Sequence, residues 1–263
     1  MGVKQHLKLI FSYFLINLKK EWQYKSSFFM QIIMMLLNDA FFIVQWYITF
    51  QLVDNIGGYG FYETMLLWAI SAGSYGVAAT FFRGIFSMTD AVYEGRIDVF
   101  LAQPKNALVN IACSQTSISA IGDIAYSFVV LAIIGAPWYW YLLIIPVMIL
   151  GGLLYASMYS TFSSLSFFIK RGDAMASFAE STLLKTDKYP PAIYNTVVKM
   201  LLSIVVPVFF FTFIPAQYIF FTFNIWWVLG YIGVVAVWIT LAFVTFKLGL
   251  KKYNSGSLMG GRM

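Results

Sequence analysis

The sequence predicts an all-α integral membrane protein with six crossings, preceded by a helix that lies in the membrane interface. Three observations predict it. Apolar runs of 20 or more residues recur along the chain, long enough to cross a hydrocarbon core of about 30 Å. Hydrophobic residues make up 60% of the chain and charged residues 11%, against about 25% charged in a typical soluble domain. The basic residues are unevenly placed. Lys4, Lys8, Lys19, Lys20 and Lys25 precede the first run, Arg96 and Lys105 fall after the second, and Lys170 and Arg171 follow the fourth. Lys247, Lys251, Lys252 and Arg262 close the chain, while the loops 52–60, 136–140 and 215–222 carry no Lys or Arg. Positively charged loops stay inside, so both termini are expected to be cytoplasmic. The net charge of +6 therefore reports topology rather than a nucleic-acid partner. A transmembrane barrel needs alternating strands of about ten residues, and these runs do not alternate.

Residues 3–24 read as an interfacial amphipathic helix. Leu7, Phe11, Phe14, Leu15, Leu18 and Trp22 recur at three- and four-residue spacing, with Lys4, Lys8, Ser12, Lys19 and Gln23 between them. A signal peptide is the competing reading, but Lys19-Lys20-Glu21 follows the apolar stretch and no small-residue cleavage site is visible. The first crossing is expected over 27–51, with Asn38 and Asp39 near its middle, where a charge needs protein or water around it. Asp54 to Gly60 form a short outer turn built on glycine. The second crossing, 61–89, opens with Glu63 and carries Arg83 towards its inner end. Its Ala69, Ser71, Ala72, Gly73, Ser74 and Gly76 suit close helix packing. The third crossing covers 108–135 with Asp123 near its middle, and Ala136 to Trp140 make an outer aromatic turn. The fourth, 141–169, stops at Lys170-Arg171.

Residues 172–198 admit two readings. Hydropathy makes them a cytoplasmic loop before a fifth crossing at 199–222. Pro207 and Pro215 in that run instead allow a broken, re-entrant pair of helices. The last crossing is expected over 223–246, and the basic, glycine-rich tail 247–263 is expected to be disordered. No internal repeat is visible, which argues against an inverted-repeat secondary transporter.

Few residues offer chemistry. The single cysteine, Cys113, excludes an internal disulfide and a multi-cysteine metal site. The one histidine, His6, lies in the charged N-terminal stretch and reads as a solvated interfacial residue. No phosphate-binding Gly-x-x-x-x-Gly-Lys-Ser/Thr, no His-Glu-x-x-His and no Gly-x-Ser-x-Gly occurs. No catalytic or metal site is therefore expected. Asp39 and Asp123 have similar depths, but neither lies in a motif that supports intramembrane catalysis. Asn38, Asp39, Arg83, Asp123 and Glu180 form the buried polar set. They either pair between helices and fix the packing or line a hydrated path for a polar or cationic substrate.

Between the second and third crossings lies a polar island, Asp90 to Asn106. It is long for a helix–helix connection, which commonly takes about two to eight residues. It combines Asp90, Glu94 and Asp98 with Val92, Ile97, Val99, Phe100 and Leu101, then breaks at Pro104. That pattern describes a short amphipathic helix at the interface, ready to enter a partner's groove.

Gly95-Arg96-Ile97-Asp98, Leu101 and Gln103-Pro104-Lys105-Asn106 resemble the Gly-x-Leu-Asp-x-x-Leu-x-x-Pro-x-Asn signature of the ABC type-2 (ABC-2) permease family. The nearest branch is bacterial, with permeases encoded in pairs beside a separate ATPase. Leu18 to Phe28 are similar to that family's charged N-terminal helix, with Lys25 where an Arg is common. Gly57-Gly58 with Phe61 and Glu63 resemble its Gly-Gly-Trp…Glu turn, with Tyr59 in place of the Trp. Tyr189-Pro190-Pro191-Ala192-Ile193-Tyr194, Ile204 to Pro207 and Pro215-Ala216 are similar to its Tyr-Pro-x-x-Ile-Tyr and following Pro elements.

The resemblance implies a single permease domain over 1–263, acting as the membrane subunit of an exporter and not itself an enzyme. It implies a coupling helix at 90–106 that docks on two cytoplasmic ATPase subunits, which would hold the ATP and Mg; no cofactor is expected in this chain. Glu94, Arg96 and Asp98 would orient the docking around Gly95, Ile97, Phe100 and Leu101 would supply apolar contact, and Pro104 would end the helix. It implies a polar fifth crossing at 172–188, outer re-entrant helices at 189–216 and, from the branch, a second permease that is a non-identical homologue. The substrate would be an amphiphile, a lipid, drug or peptide-like molecule, moved by alternating access across a bacterial plasma membrane. Two other classes stand beside this: an ion-gradient transporter or channel using Asp39 and Asp123, and a membrane scaffold or accessory subunit that sequesters a toxic peptide.

Overall fold

The structure, a computed structural model, describes residues 3–169 and 172–253. The Lys170-Arg171 stop signal, the side chain of His6 and the tail beyond Tyr253 lie outside the described residues. The described chain is helical apart from turns and one isolated bridge, Ile56 to Tyr59. Helix α1 (Val3–Trp22) turns at Gln23 and Tyr24 into α2 (Lys25–Leu52). The turn to α3 (Phe61–Phe81) needs left-handed backbone at Gly57 and Gly58, whose φ angles are 61° and 87°. Glu63 then accepts a hydrogen bond from the Gly60 N–H at 2.9 Å, satisfying a free donor at the start of the helix.

The second expected crossing ends earlier than its hydropathy does. α3 stops at Phe81, and a 3-10 turn (Arg83–Ser87) leads into α4 (Met88–Tyr93). The break falls where Gly84 presses against the Ile111 carbonyl, a contact that leaves no room for a side chain. The island is likewise two short helices rather than one. α4 closes at Glu94, Gly95 takes a φ of 73°, and α5 spans Asp98–Leu101.

The third expected crossing is broken too, into α6 (Ala107–Cys113) and α7 (Ala120–Ile133). Between them runs Ser114-Gln115-Thr116-Ser117-Ile118-Ser119, and hydroxyls in such a run compete with the helix for backbone groups. Ser114 donates to the Ile111 carbonyl at 2.7 Å, and the Ser117 N–H leaves for the Ala79 carbonyl at 3.0 Å. The remainder is α8 (Trp138–Ser163), α9 (Gly172–Thr186), α10 (Thr196–Ile204) and, after a π-helical stretch to Phe221, α11 (Ile225–Leu250). Asn106, Asn195 and Asn224 cap α6, α10 and α11 through side-chain acceptors.

Among the described residues, α2, α3, α8 with its 3-10 extension and α11 are long and apolar enough to cross a membrane. The pair Thr196–Ile204 and Phe209–Phe221, bent by 80°, would count as a fifth span if taken as one. The 14 residues of α7 reach only about 21 Å, so the third passage depends on α6 and the serine-rich break as well.

α3 is the axis of the bundle, packed against α7 and α8, with α11 on the far side of α8. Close approach explains it. A side chain at Gly73 would collide with Met148 and Ser127, and one at Gly151 with Ser74. The small-residue face of the second crossing is thus the contact face. Inside a bilayer such backbone-close contact gives the dispersion energy that replaces the hydrophobic effect between helices. α2 and α11 present the opposite picture, with Phe29, Met34, Leu37, Phe41, Trp226 and Val237 exposed.

Two ends can be told apart by contact. At one, α4, α5, α6, the end of α11 and Tyr253 share one apolar cluster. At the other, the Gly57 turn touches Ala192, and Trp140 packs edge-on against Phe220 and Phe221 at 5.2 and 5.8 Å. α9 starts at the first end, where the Gly172 N–H donates to the Tyr93 hydroxyl at 3.3 Å. The chain reaches the other end by Ala192. Both limits of the bent α10 pair therefore lie at that same end.

Candidate functional site

α4 is largely buried, whereas α5 is exposed except for half-buried Phe100, with buried Ile97 just ahead of it. Met88, Val92 and Ile97 are fully buried, packed with Leu108, Ile111, Ala242 and Phe246. Phe100 is half-buried against the same cluster. Glu94, Arg96, Asp98, Val99, Leu101 and Pro104 are exposed. Arg96 pairs with Glu94. The apolar half of the expected docking set is thereby divided. Ile97 and part of Phe100 pack into this chain's own cluster with residues of α6 and α11, and Leu101 with Val99 is what faces outward. Tyr253 stacks edge-on against Phe167 at 5.9 Å, and burial, with Asp98 beside it, pushes its phenol up to about 12. It stays protonated at neutral pH.

The expected interfacial helix is fastened to this surface. The Tyr13 hydroxyl donates to Asn110 Oδ1 at 2.5 Å, and Asn110 Nδ2 donates to Gln103 Oε1 at 2.7 Å. Lys105 lies 5.7 Å from the Tyr13 ring centre. Asn17 Nδ2 donates to the Ser114 carbonyl and to Thr116, at 3.3 and 3.2 Å. α1 and the island are therefore one assembly.

The five polar residues singled out within the crossings separate into two groups. Asn38 is exposed on α2, next to Asp39, which is buried. Asp39 and Asp123 lie near one another, joined by Asp187 and Lys188 from the end of α9. Ser71 donates to Asp187, and Thr212 donates to the Asp187 carbonyl at 2.7 Å. Lys188 Nζ sits 4.3 Å from the Trp68 ring centre and 5.6 Å from that of Phe42. One ammonium is thus shared among three carboxyl groups, none within ion-pair distance among the described residues. Among those residues, no three His, Cys, Asp or Glu side chains converge in a way that would hold a metal ion.

Arg83 and Glu180 belong to the second group, nearer the island. Tyr155 donates to Glu180 Oε1 at 2.7 Å. The Arg83 guanidinium lies 5.0 Å from the Phe86 ring centre. Phe86 in turn packs against Tyr159 at 4.7 Å and Tyr155 at 5.8 Å, and Tyr75 meets Tyr155 edge-on at 5.5 Å. Four aromatic rings, Tyr155 and Tyr159 among them buried, thus gather beside one cation and one carboxylate.

In comparison with known families, the ABC-2 family transporter protein description matches residues 22–257. The chain belongs to the ABC-2 transporter family. No curated protein and no solved structure matched it. Within an ABC-2 membrane protein, the island's signature residues acquire backbone reasons. Gly95 supplies the left-handed turn between α4 and α5, and Asn106 caps α6 by accepting from the Val109 N–H at 3.2 Å. Sequence reasoning left out Lys188, Asp187 and the aromatic group of Tyr75, Phe86, Tyr155 and Tyr159. The signal for the first two was a charged pair at the end of a polar segment that had to be placed in or beside the membrane. The aromatic group had none, since Phe and Tyr are spread over the whole chain.

Proposed function

We propose that this ABC-2 family member is the permease subunit of an ATP-driven exporter, with the island as its coupling helix. The observation that carries the reading is the two-sidedness of α4 and α5. Glu94, Asp98, Val99 and Leu101 face outward, while Met88, Val92 and Ile97 are locked to α6 and α11. A surface built this way converts a push from a partner into movement of spanning helices. In this reading two ATPase subunits bind ATP and two permeases, the second a homologous chain, form the path. Both termini are cytoplasmic, α9 is the polar fifth of six crossings, and the α10 pair is re-entrant from the outer face. Ala192 against Gly57 supports that last assignment. ATP-driven closure shifts the permeases between inward- and outward-open states by differential affinity.

The substrate is an amphiphile, held on its way by Arg83, Glu180 and the rings around them. The lysine already present beside Asp39 and Asp123 acts as their built-in counter-ion, which favours packing over an ion-gradient mechanism for that group. The test is to express the chain with its candidate ATPase, purify by a tag on this chain alone, and measure ATP hydrolysis in liposomes. Co-purification that D98A/L101A weakens supports the reading. An intact D98A/L101A complex with unchanged, substrate-stimulated hydrolysis would remove the coupling role.

A further inference from the structure

The elbow between α1 and α2 carries a groove used neither by the island nor by the buried charges. It is open to the surface, is lined by Leu18, Lys19, Trp22 and Phe28 and has a volume of about 330 Å³. Trp22 is exposed and forms its plate, with Phe28 edge-on at 5.2 Å and Phe29 at 6.3 Å. Lys25 Nζ lies 5.9 Å from the Trp22 ring centre, and Lys19 is three residues before Trp22 on the same helix face. Lys19 and Lys25 are both exposed, and neither makes an ion pair among the described residues. The elbow also lies just ahead of the first candidate crossing, Lys25–Leu52, and tryptophan at the end of a crossing favours the headgroup region.

An apolar slot beneath two unpaired ammonium groups has the polarity of one kind of molecule. Hydrocarbon fills the slot, and negative charge sits above it. A zwitterionic lipid brings no net charge to the lysines, and a neutral helix from another protein leaves both unanswered. We propose that the α1–α2 elbow binds one anionic phospholipid, its acyl chain against Trp22 and Phe28 and its phosphate between Lys19 and Lys25. The same helix is tied to the island through Tyr13, Asn110 and Gln103, so an occupied elbow braces the coupling end.

The test does not depend on the transport reading. The full-length protein is purified and offered phosphatidylglycerol or phosphatidylcholine with identical chains, and retained lipid is read by native mass spectrometry. Phosphatidylglycerol is expected to be retained preferentially. Replacing Lys19 and Lys25 by Gln weakens that retention roughly 5-fold per lysine and roughly 30-fold together, while K199Q, at the other end of the molecule, leaves it unchanged. In nanodiscs, phosphatidylglycerol with brominated chains quenches tryptophan fluorescence, and the quench is smaller in W22F. Equal retention of the two lipids, retention unchanged in K19Q/K25Q, or a quench undiminished in W22F overturns the proposal.

Discussion

At Lys188 an ammonium group rests over the Trp68 ring with Asp39, Asp123 and Asp187 around it. Desolvated carboxyl groups need a compensating charge or donor, and removing Lys188 takes the nearby positive charge from all three, leaving Asp187 only its Ser71 donor. Lys188→Met is therefore expected to destabilise the protein by about 2–3 kcal/mol, less than for a fully buried pair because Lys188 is only half-buried. Adding Asp123→Asn should recover part of the loss. Thermal unfolding in detergent, followed by tryptophan fluorescence, measures both. A wild-type midpoint for K188M would mean the carboxyl groups are balanced some other way. Gly84 makes a steric claim at the same scale. A Cβ there meets the Ile111 carbonyl, which is backbone and cannot rotate away. Gly84→Ala should cost about 1–3 kcal/mol, whereas Gly230→Ala, with open space around it, should cost nothing measurable by the same method.

Among the elements, the island has buried residues that bear on stability and exposed ones that bear on the proposed docking. Ile97 is fully buried, so Ile97→Ala is expected to cost about 2–4 kcal/mol through a cavity and to lower the unfolding midpoint. D98A/L101A changes only exposed groups and should leave that midpoint within about 0.5 kcal/mol of wild type, yet weaken ATPase binding. Equal destabilisation by the two variants would contradict the two-sided island. The brace between α1 and the island is testable separately. Tyr13→Phe removes the donor to Asn110 Oδ1, a net loss of about 1 kcal/mol. Amide hydrogen exchange should quicken in α1 and α6 while α8 stays protected, and uniform exchange across all three helices would show that the brace is not there.

For the whole molecule, the contacts define which segments share an end of the helix bundle. Cys113 is the chain's one cysteine and is buried, so single cysteines introduced elsewhere are read against a quiet background. In intact cells, a cysteine at Asn195 should react with a membrane-impermeant maleimide, and one at Val99 only after permeabilisation. Labelling of both from outside, or of neither, would refute the arrangement in which α9 crosses and the α10 pair dips in and returns. The exposed apolar surfaces of α2 and α11 fit the same picture, since they need lipid or another apolar surface around them.

Much of this was legible from residue order. Unbroken apolar runs, the clustering of lysine and arginine, and the small residues from Ala69 to Gly76 depend only on neighbours along the chain, and they determined the membrane class and the packing face of α3. The breaks at Phe82 and Ser114 were hidden because average hydropathy hardly registers a hydroxyl-rich turn or a glycine pressed on a distant carbonyl. Ile97 reads as an outward contact until its cluster is assembled, since that cluster also takes in Ala242 and Phe246, 145 or more positions away. The gathering of Asp39, Asp123, Asp187 and Lys188 is likewise a tertiary fact. Which charges face one another in a bilayer is decided by distance through space, which three separate segments settle only when they pack.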